Sequence, residues 1–248
     1  TVHLVEALRE AGMMPARLVY LSSLSVFGAI REQPVRKPTR DNPWVYAPIV
    51  GTDSPEPNTE YGRSKWKAEQ WLAEQKDVPY TILRPTGVYG PREKDYFLMA
   101  QSIKQHTDFS VGFKRQDITF VYVKDLVQAI FLTFDHGMNG RKYFLSDGKV
   151  YQSSDFSRLI RRALGHPWWI RIKAPVWLLH IVTTCGEWAS RMTGKVTALN
   201  NDKYHILRQR NWRCNVEPAM DELGYHPHYD LERGVAETIS WYKQEGWL

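Results

Sequence analysis

The sequence predicts an α/β fold with a parallel sheet, followed by a smaller, helix-rich C-terminal lobe. Three short apolar runs have the composition of buried strands, at residues 17–22, 79–85 and 142–146. Helical patterns at 61–76 and 125–134 alternate with these strands, which is typical of a parallel sheet. Further helical patterns then dominate, at 154–164, 176–192 and 231–244. We therefore expect a sheet domain over residues 1–150 and a lobe over 151–248, whose elements interleave in part.

Composition supports a globular protein with a full core. Of 248 residues, 43% are hydrophobic and 24% are charged, which excludes a disordered or low-complexity chain. The net charge of +6 is spread along the chain, so it suits an anionic small molecule and is too weak to predict nucleic-acid binding. Cys185 and Cys214 lack the spacing of a disulfide framework or a zinc site. These features favour a cytoplasmic protein without an integral membrane segment.

The remaining segments predict further elements of the α/β fold. Residues 1–12 form an amphipathic helix pattern, and Gly12 is placed to end it in a left-handed turn. A chain that opens in a helix, without a preceding strand, is expected to continue a longer protein. Asp125 stands near the start of a predicted helix, where a carboxylate can cap amide groups. The proline-rich stretch 34–57 is expected to be irregular.

The residues with the clearest chemistry follow one strand and begin the next helix. Tyr61 and Lys65 are four residues apart, so they lie on one helix face. An ammonium group close to a phenol favours the phenolate, which can exchange a proton with an alcohol or carbonyl. Ser23 adds a hydroxyl at a strand end, where parallel sheets bind ligands. On its own such a Tyr/Lys pair is also common on exposed helices, so the prediction depends on the whole set.

Four segments carry a family resemblance: SSLSVFG (22–28), YGRSKWKAE (61–69), TILRPTGVYGP (81–91) and FVYVKDLVQAI (120–130). In this order they resemble the extended short-chain dehydrogenase/reductase superfamily, in its NAD-dependent epimerase/dehydratase branch, over roughly residues 1–150. The resemblance implies a Rossmann-like sheet and NAD or NADP as cofactor. It implies that Tyr61 is the general acid/base, that Lys65 makes this phenol more acidic and contacts the nicotinamide ribose, and that Ser23 positions the reacting oxygen.

The resemblance also suggests further site residues. Pro85 and Val88 fall where the family's strand end passes the nicotinamide, although a proline-terminated strand with apolar packing explains them equally well. Ser25 and Arg92 are candidate substrate contacts, Arg92 for an anionic group, with a solvated loop arginine as the alternative for the latter. A homodimer is a further expectation from the resemblance.

Two departures from the family pattern are visible. The Gly-rich fingerprint is absent, since the glycines before Tyr61 do not form it, and the resemblance therefore implies a preceding segment of about eighty residues. The residue that would distinguish NAD from NADP would lie in that segment. The spacer between Ser23 and Tyr61, which contains Trp44, is also long. It is either an insertion beside the substrate pocket or an extra surface loop.

The C-terminal part gives limited information about the class of substrate. NWRC (211–214) and LGYHP (223–227) resemble the 3β-hydroxysteroid dehydrogenase-like branch. An unusual number of tryptophans either caps an apolar substrate or fills the core of the lobe; they are Trp168, Trp169, Trp177, Trp188 and Trp212. Sterol-like and nucleotide-sugar substrates both remain open.

The sequence thus predicts an NAD(P)-dependent oxidoreductase or epimerase that moves a hydride at a secondary alcohol or ketone, with Tyr61 moving the proton. One alternative is a nucleotide-sugar epimerase or dehydratase. A dehydratase is expected to carry an acidic pair directly after the strand-end hydroxyl, where this chain has Leu24 and Ser25. The other alternative is a non-catalytic module that senses dinucleotide, which would be expected to lose the Tyr/Lys pair.

Overall fold

A three-stranded parallel sheet forms the centre of the fold. The structure is a computed structural model that describes residues 1–193 and 201–248, and it describes the side chains of these residues except 185–193. The sheet has the order β1-β2-β7, with β1 at Leu18–Leu21, β2 at Tyr80–Pro85 and β7 at Lys142–Leu145. The three predicted strands and their parallel arrangement are confirmed. Their carboxyl ends lie at one edge, where Leu21 pairs with Leu83 and Pro85 with Leu145.

The other strands form parallel pairs, and two of these pairs join the two halves of the chain. The pairs are β3 (Gly87–Tyr89) with β6 (Phe120–Tyr122), β4 (Thr107–Val111) with β8 (Ile170–Ala174), and β5 (Asp117–Ile118) with β9 (Asn211–Trp212). Because β8 and β9 come from the C-terminal part and pair with β4 and β5, the lobe takes elements from both sides of residue 150. The boundary at that residue stays a prediction.

Helices surround the sheet and make up most of the C-terminal part. The predicted helices are confirmed, and Gly12 follows the first of them with a φ of +65°. Their bounds, with a short 3-10 helix at Leu24–Phe27, are α1 (Val2–Glu10), α2 (Glu60–Glu74), α3 (Lys94–Lys104), α4 (Val123–His136), α5 (Ser153–Ala163), α6 (Val176–Thr193), α7 (Asn201–Arg208), α8 (Glu217–Leu223) and α9 (Leu231–Gln244). Within the described ranges, every helix lacks the length or the apolar character that crossing a membrane requires.

The prediction that residues 17–22 are buried on both faces is wrong. Residues Leu18–Leu21 of β1 are half-buried to exposed, and Leu21 is 37% exposed. In the described ranges β1 pairs with β2 on one side only, so it is an edge strand. In contrast, β2 lies between two strands and is buried along its whole length.

The prediction that Asp125 caps its own helix is also wrong. Its carboxylate is buried and accepts the backbone N–H groups of His228 and Tyr229, each at 3.0 Å. Among the described side chains, none caps the start of α4. Asp125 therefore fixes the segment before α9 against α4, because its own buried carboxylate needs hydrogen-bond donors and these two amides supply them.

The tryptophans of the C-terminal part have different surroundings. Trp169 and Trp212 pack against apolar clusters, whereas Trp168 and Trp177 are each 64% exposed. The side chain of Trp188 lies outside the described residues, as does that of Cys185. The core interpretation therefore does not hold for the set as a whole, and the substrate-cap interpretation stays a prediction.

A buried ion pair fastens α2 to the sheet. Glu69 in α2 is fully buried, and its carboxylate accepts hydrogen bonds from Arg84 Nε at 3.0 Å and Arg84 Nη2 at 2.5 Å. Ser22 Oγ donates to the same carboxylate at 2.6 Å, and Lys142 Nζ lies 3.5 Å away. These partners come from β2, from the residue after β1 and from β7. One carboxylate thus connects α2 to all three strands.

Replacing Glu69 with alanine should lower the free energy of unfolding by about 3–5 kcal/mol, because Arg84 would remain buried without its counter-charge. Urea denaturation at neutral pH measures this change. The matched control is Glu232→Ala, which removes an exposed ion pair with Arg162 and should cost about 0–1 kcal/mol. Equal losses in the two variants would contradict a special contribution from the buried pair.

Candidate functional site

Ser23 lies at the carboxyl end of β1, where the chain turns into the 3-10 helix. Its Oγ accepts a hydrogen bond from the backbone N of Ser25 and donates one to Ser25 Oγ, both at 3.1 Å. Serine suits this position because its hydroxyl can satisfy an N–H that a helix start leaves without a partner. The side chains of Ser23 and Ser25 thus form a pair of hydroxyls beside the sheet edge.

The start of α2 comes close to this pair because of a glycine. A Cβ on Gly62 would lie 2.5 Å from the carbonyl oxygen of Ser25, a distance that no side chain can occupy. Thr59 caps the helix, and its Oγ1 accepts from Gly62 N at 2.9 Å. The neighbouring residue Tyr61 therefore begins α2 directly beside the segment that carries Ser23.

Lys65 lies one turn after Tyr61 and reaches back to the end of β1. Its Nζ donates to the carbonyl oxygen of Leu21 at 2.7 Å. The same nitrogen lies 5.7 Å from the centre of the Tyr61 ring and 5.3 Å from that of Tyr20. Burial lowers the pKa of Lys65, because a less hydrated site disfavours the ammonium form. Tyr61 itself is 47% exposed, so its ring is accessible to a ligand.

Three other predicted site residues have contacts that differ from those of Ser23, Tyr61 and Lys65. Pro85 is the buried last residue of β2, and Val88 is half-buried in β3, where it pairs with Val121. Arg92 is an exposed residue of the loop before α3, with a φ of +70°. The contacts of Pro85 and Val88 are those of packed strands, and their assignment to cofactor binding stays a prediction. The same holds for Arg92 and the substrate.

The sequence did not single out Thr86, which follows β2 at the sheet edge. Thr86 is 8% exposed, and its hydroxyl has no hydrogen-bond partner among the described residues, although its backbone N donates to Leu145. A buried hydroxyl without a partner is uncommon in folded proteins. No sequence pattern distinguishes this threonine. Glu69, in contrast, lies four residues after Lys65, and helical periodicity alone places it on the same face.

A second polar region lies at the carboxyl end of β7. A cleft of about 370 Å³ is lined there by Asp147, Lys149, Pro227, His228, Tyr229, Asp230 and Arg233. Burial raises the pKa of Asp147 to about 6, even though the hydroxyl of Tyr151 donates to it at 2.5 Å. The sequence analysis did not identify this cleft.

The long spacer before α2 is tied to the C-terminal part. Asp117 Oδ2 accepts the backbone N–H groups of Val45 at 2.5 Å and Tyr46 at 2.9 Å. The ring of Trp44 lies close to two guanidinium groups, with its centre 4.6 Å from that of Arg36 and 4.0 Å from that of Arg213. The spacer is therefore an ordered layer on the lobe. Its role in shaping a substrate pocket stays a prediction.

Comparison with known proteins places these features in a family. The model of the NAD dependent epimerase/dehydratase family matches residues 1–146. The sterol-4-alpha-carboxylate 3-dehydrogenase erg26 of Schizosaccharomyces pombe is 27% identical over 80% of this chain and 63% of its own length. Short-chain dehydrogenase/reductase family 42E member 1 of Homo sapiens is 28% identical over 93% of this chain and 61% of its own. This chain thus spans about three fifths of the length of these relatives.

Solved structures support the fold. The dTDP-glucose 4,6-dehydratase of Bacillus anthracis, solved in complex with NAD, aligns with a TM-score of 0.72 at 19% identity. The alignment covers 99% of this chain and 67% of that one. The predicted Rossmann-like α/β fold and the family resemblance are therefore confirmed.

Substituting alanine for Gly62 should push α2 away from the 3-10 helix and lower the free energy of unfolding by about 1–3 kcal/mol, because the new Cβ meets backbone rather than a flexible side chain. Gly51→Ala is the control, since Gly51 has open space around its Cβ position and no left-handed φ. Chemical denaturation of both variants measures the difference. A Gly62→Ala protein as stable as Gly51→Ala would show that the close approach does not matter.

Asp147 should make the protein less stable as pH rises from about 4 to about 6. The pKa of Asp147 is near 6 in the folded state and 3.8 for the ordinary side chain, so the folded protein binds the extra proton in that window. Protonation thus favours folding, and the benefit is lost as pH rises through 6. The difference in unfolding free energy between wild type and Asp147→Asn should fall across this range. A difference that stays constant between pH 4 and pH 6 would contradict the raised pKa of Asp147.

Proposed function

Because the chain belongs to the NAD dependent epimerase/dehydratase family, we propose that it forms the catalytic part of an NAD(P)-dependent oxidoreductase. The reaction is hydride transfer between nicotinamide and a secondary alcohol or ketone carbon. One observation carries the proposal: Lys65 Nζ lies 5.7 Å from the ring of Tyr61 while it is held on Leu21, at the strand end that leads to Ser23. A phenol, a cation and a hydroxyl at a sheet edge are the groups that such a reaction needs.

Tyr61 moves the proton in this proposal. In the oxidation direction the Tyr61 oxygen, as phenolate, accepts the proton of the substrate hydroxyl, and in reduction the phenol returns it. Lys65 Nζ lies 5.7 Å from the centre of the Tyr61 ring and so places a cation beside this phenol. The half-exposed ring of Tyr61 allows a substrate oxygen to reach it. Lys65 stays in place during this exchange because it is anchored to the backbone of β1.

Ser23 orients the substrate oxygen. Its hydroxyl donates to Ser25 Oγ, and rotation about the Cβ–Oγ bond makes the same proton available to a substrate oxygen. The backbone N of Ser25 donates to Ser23 Oγ and holds that atom in position. Two hydrogen bonds to one substrate oxygen, from Ser23 and Tyr61, fix its approach to the reacting carbon.

The residues at the sheet edge fit the nicotinamide half of the cofactor. Lys65 has three N–H donors, and among the described residues Leu21 O is its one acceptor, so donors remain for the ribose hydroxyls. The buried hydroxyl of Thr86, without a partner in the described ranges, lies at the end of the neighbouring strand. When bound, nicotinamide supplies the hydride acceptor or donor. The Gly-rich turn that holds a pyrophosphate does not occur in these 248 residues, so the fit concerns this half only.

The substrate that we propose is a sterol-like secondary alcohol. The similarity to a sterol-carboxylate dehydrogenase supports this class, as does the resemblance of the C-terminal segments to the 3β-hydroxysteroid dehydrogenase-like branch. A dehydratase is disfavoured because Leu24 is buried and apolar and Ser25 carries a hydroxyl, so neither residue after Ser23 can act as a carboxylic acid. NAD and NADP are equally compatible with the described residues.

Replacing Tyr61 with phenylalanine in the intact protein should lower kcat by about 10²–10⁴-fold, because the proton acceptor is lost while the ring remains. The assay follows reduced nicotinamide during oxidation of a panel of 3β-hydroxysteroids and, separately, of nucleotide sugars. Cofactor affinity, measured by fluorescence titration, should change little.

Tyr20→Phe is the matched control for that variant. Tyr20 lies as close to Lys65 as Tyr61 does, but its hydroxyl takes no part in the proposed proton transfer. Turnover should therefore be retained in Tyr20→Phe. Unchanged turnover in Tyr61→Phe, or an equal loss in Tyr20→Phe, would refute the role of Tyr61. Turnover of nucleotide sugars but not of steroids would refute the substrate class alone.

A further inference from the structure

The first turn of α2 is capped twice, once by its own segment and once by the C-terminal part. Thr59 takes the amide of Gly62, as described above. The backbone amides of the two preceding residues, Glu60 and Tyr61, donate hydrogen bonds to the carboxylate of Asp202 in α7. Asp202 is 142 residues away from Glu60 in the chain. Its Oδ1 accepts from Glu60 N at 2.9 Å, and its Oδ2 accepts from Tyr61 N at 3.2 Å. Both carboxylate oxygens are thus used on the backbone of the residues that start the helix.

Several contacts hold α7 in this position. Gln116 Nε2 donates to the carbonyl oxygens of Leu207 at 2.9 Å and Gln209 at 2.7 Å, which anchors the end of α7. Lys203 forms an ion pair with Asp95 at the start of α3. The ring of Tyr204 lies 4.7 Å from that of His180 in α6. Asp202 therefore extends from an anchored helix, and its contact with α2 is a contact between two parts of the fold.

We propose that Asp202 is a positioning residue for Tyr61. This inference rests on the proposed function, in which the Tyr61 phenol moves the proton. Tyr61 is the second residue of α2, and the first turn of a helix is the part that most readily frays when its amides lack acceptors. A carboxylate at this end accepts charge-assisted hydrogen bonds and interacts favourably with the helix dipole. By fixing the backbone N of Tyr61, Asp202 fixes the direction in which the phenol leaves the helix.

Through Asp202, the C-terminal part contributes to the position of Tyr61 at the sheet edge. Small displacements of a reacting group cost large factors in rate, so an ordered first turn matters more here than at an ordinary helix start. Lys65 and Glu69 lie further along α2 and have their own contacts. Lys65 is held by the carbonyl oxygen of Leu21, and Glu69 is held by Arg84. Loss of Asp202 should therefore loosen Tyr61 and leave the rest of α2 in place.

The test compares Asp202→Ala and Asp202→Asn in the intact protein. Asp202→Ala should lower kcat about tenfold without a change in cofactor affinity, because only the geometry of Tyr61 is affected. Asp202→Asn keeps one oxygen acceptor and should recover part of the loss. The control is Asp230→Ala, which removes the side-chain cap of α9, an acceptor for Arg233 N at 3.0 Å, and should keep kcat within about twofold.

Amide hydrogen exchange gives a readout that does not depend on turnover. In Asp202→Ala the amides of Glu60 and Tyr61 should exchange about tenfold faster or more, while amides in the middle of α2 keep their protection. Unchanged exchange at these two amides would overturn the inference. Faster exchange along the whole of α2 would also overturn it, since the role would then be general helix stability.

A double-mutant cycle with Tyr61→Phe separates this inference from the proposed function. If Asp202 acts through the phenol, Asp202→Ala should change the residual single-turnover rate of Tyr61→Phe by less than about twofold. A full tenfold loss in that background would overturn the positioning role. Loss of activity in Tyr61→Phe together with full activity in Asp202→Ala would overturn the positioning role and leave the proposed function standing. Full activity in Tyr61→Phe would overturn both.

Discussion

The buried carboxylate of Glu69 holds α2 against the central sheet. Removing a carboxylate from water costs several kcal/mol unless partners replace the lost hydration, and here Arg84, Ser22 and Lys142 replace it. These partners belong to or follow three different strands, so the contact requires the sheet to be assembled. Tyr61, Lys65 and Glu69 are spaced four residues apart on one helix face. Fixing the last of them therefore limits where the other two can lie.

The start of α2 is set by backbone contacts rather than by side-chain packing. Gly62 allows the helix to touch the carbonyl oxygen of Ser25, and Asp202 and Thr59 accept the first amides. Lys65 is held by a carbonyl oxygen of β1. These contacts fix the backbone to which the Tyr61 side chain is attached, and they leave its ring half-exposed. A site built in this way has an accessible phenol on a fixed backbone, which is the arrangement that the proposed proton transfer by Tyr61 requires.

Three carboxylates join segments that are distant in the chain. Asp117 holds the spacer before α2, Asp125 holds the segment before α9, and Asp202 holds α2 itself. In each case a carboxylate accepts two backbone amides of a distant segment. Asp117 and Asp125 thereby order irregular segments, and Asp202 orders the first turn of α2. Together with the pairing of β4 with β8 and of β5 with β9, the contacts of Asp125 and Asp202 connect segments on both sides of residue 150, and a domain boundary at that residue stays a prediction.

Local pattern was sufficient to identify the three strands of the central sheet and most helices, because strand and helix periods are properties of neighbouring residues. It also placed Tyr61 and Lys65 on one helix face and Ser23 at the end of an apolar run, but the choice of these residues as a site depended on the family resemblance as well. The edge exposure of β1, the partners of Asp125 and the contact of Asp202 with Tyr61 were not found. Each of these depends on which segment lies beside which, and their partners are separated by tens to more than a hundred residues of chain. The amino-acid sequence by itself determined the kinds of groups at the site, whereas only the folded arrangement decided their neighbours, since long-range contacts arise from chain topology and leave no periodic signal.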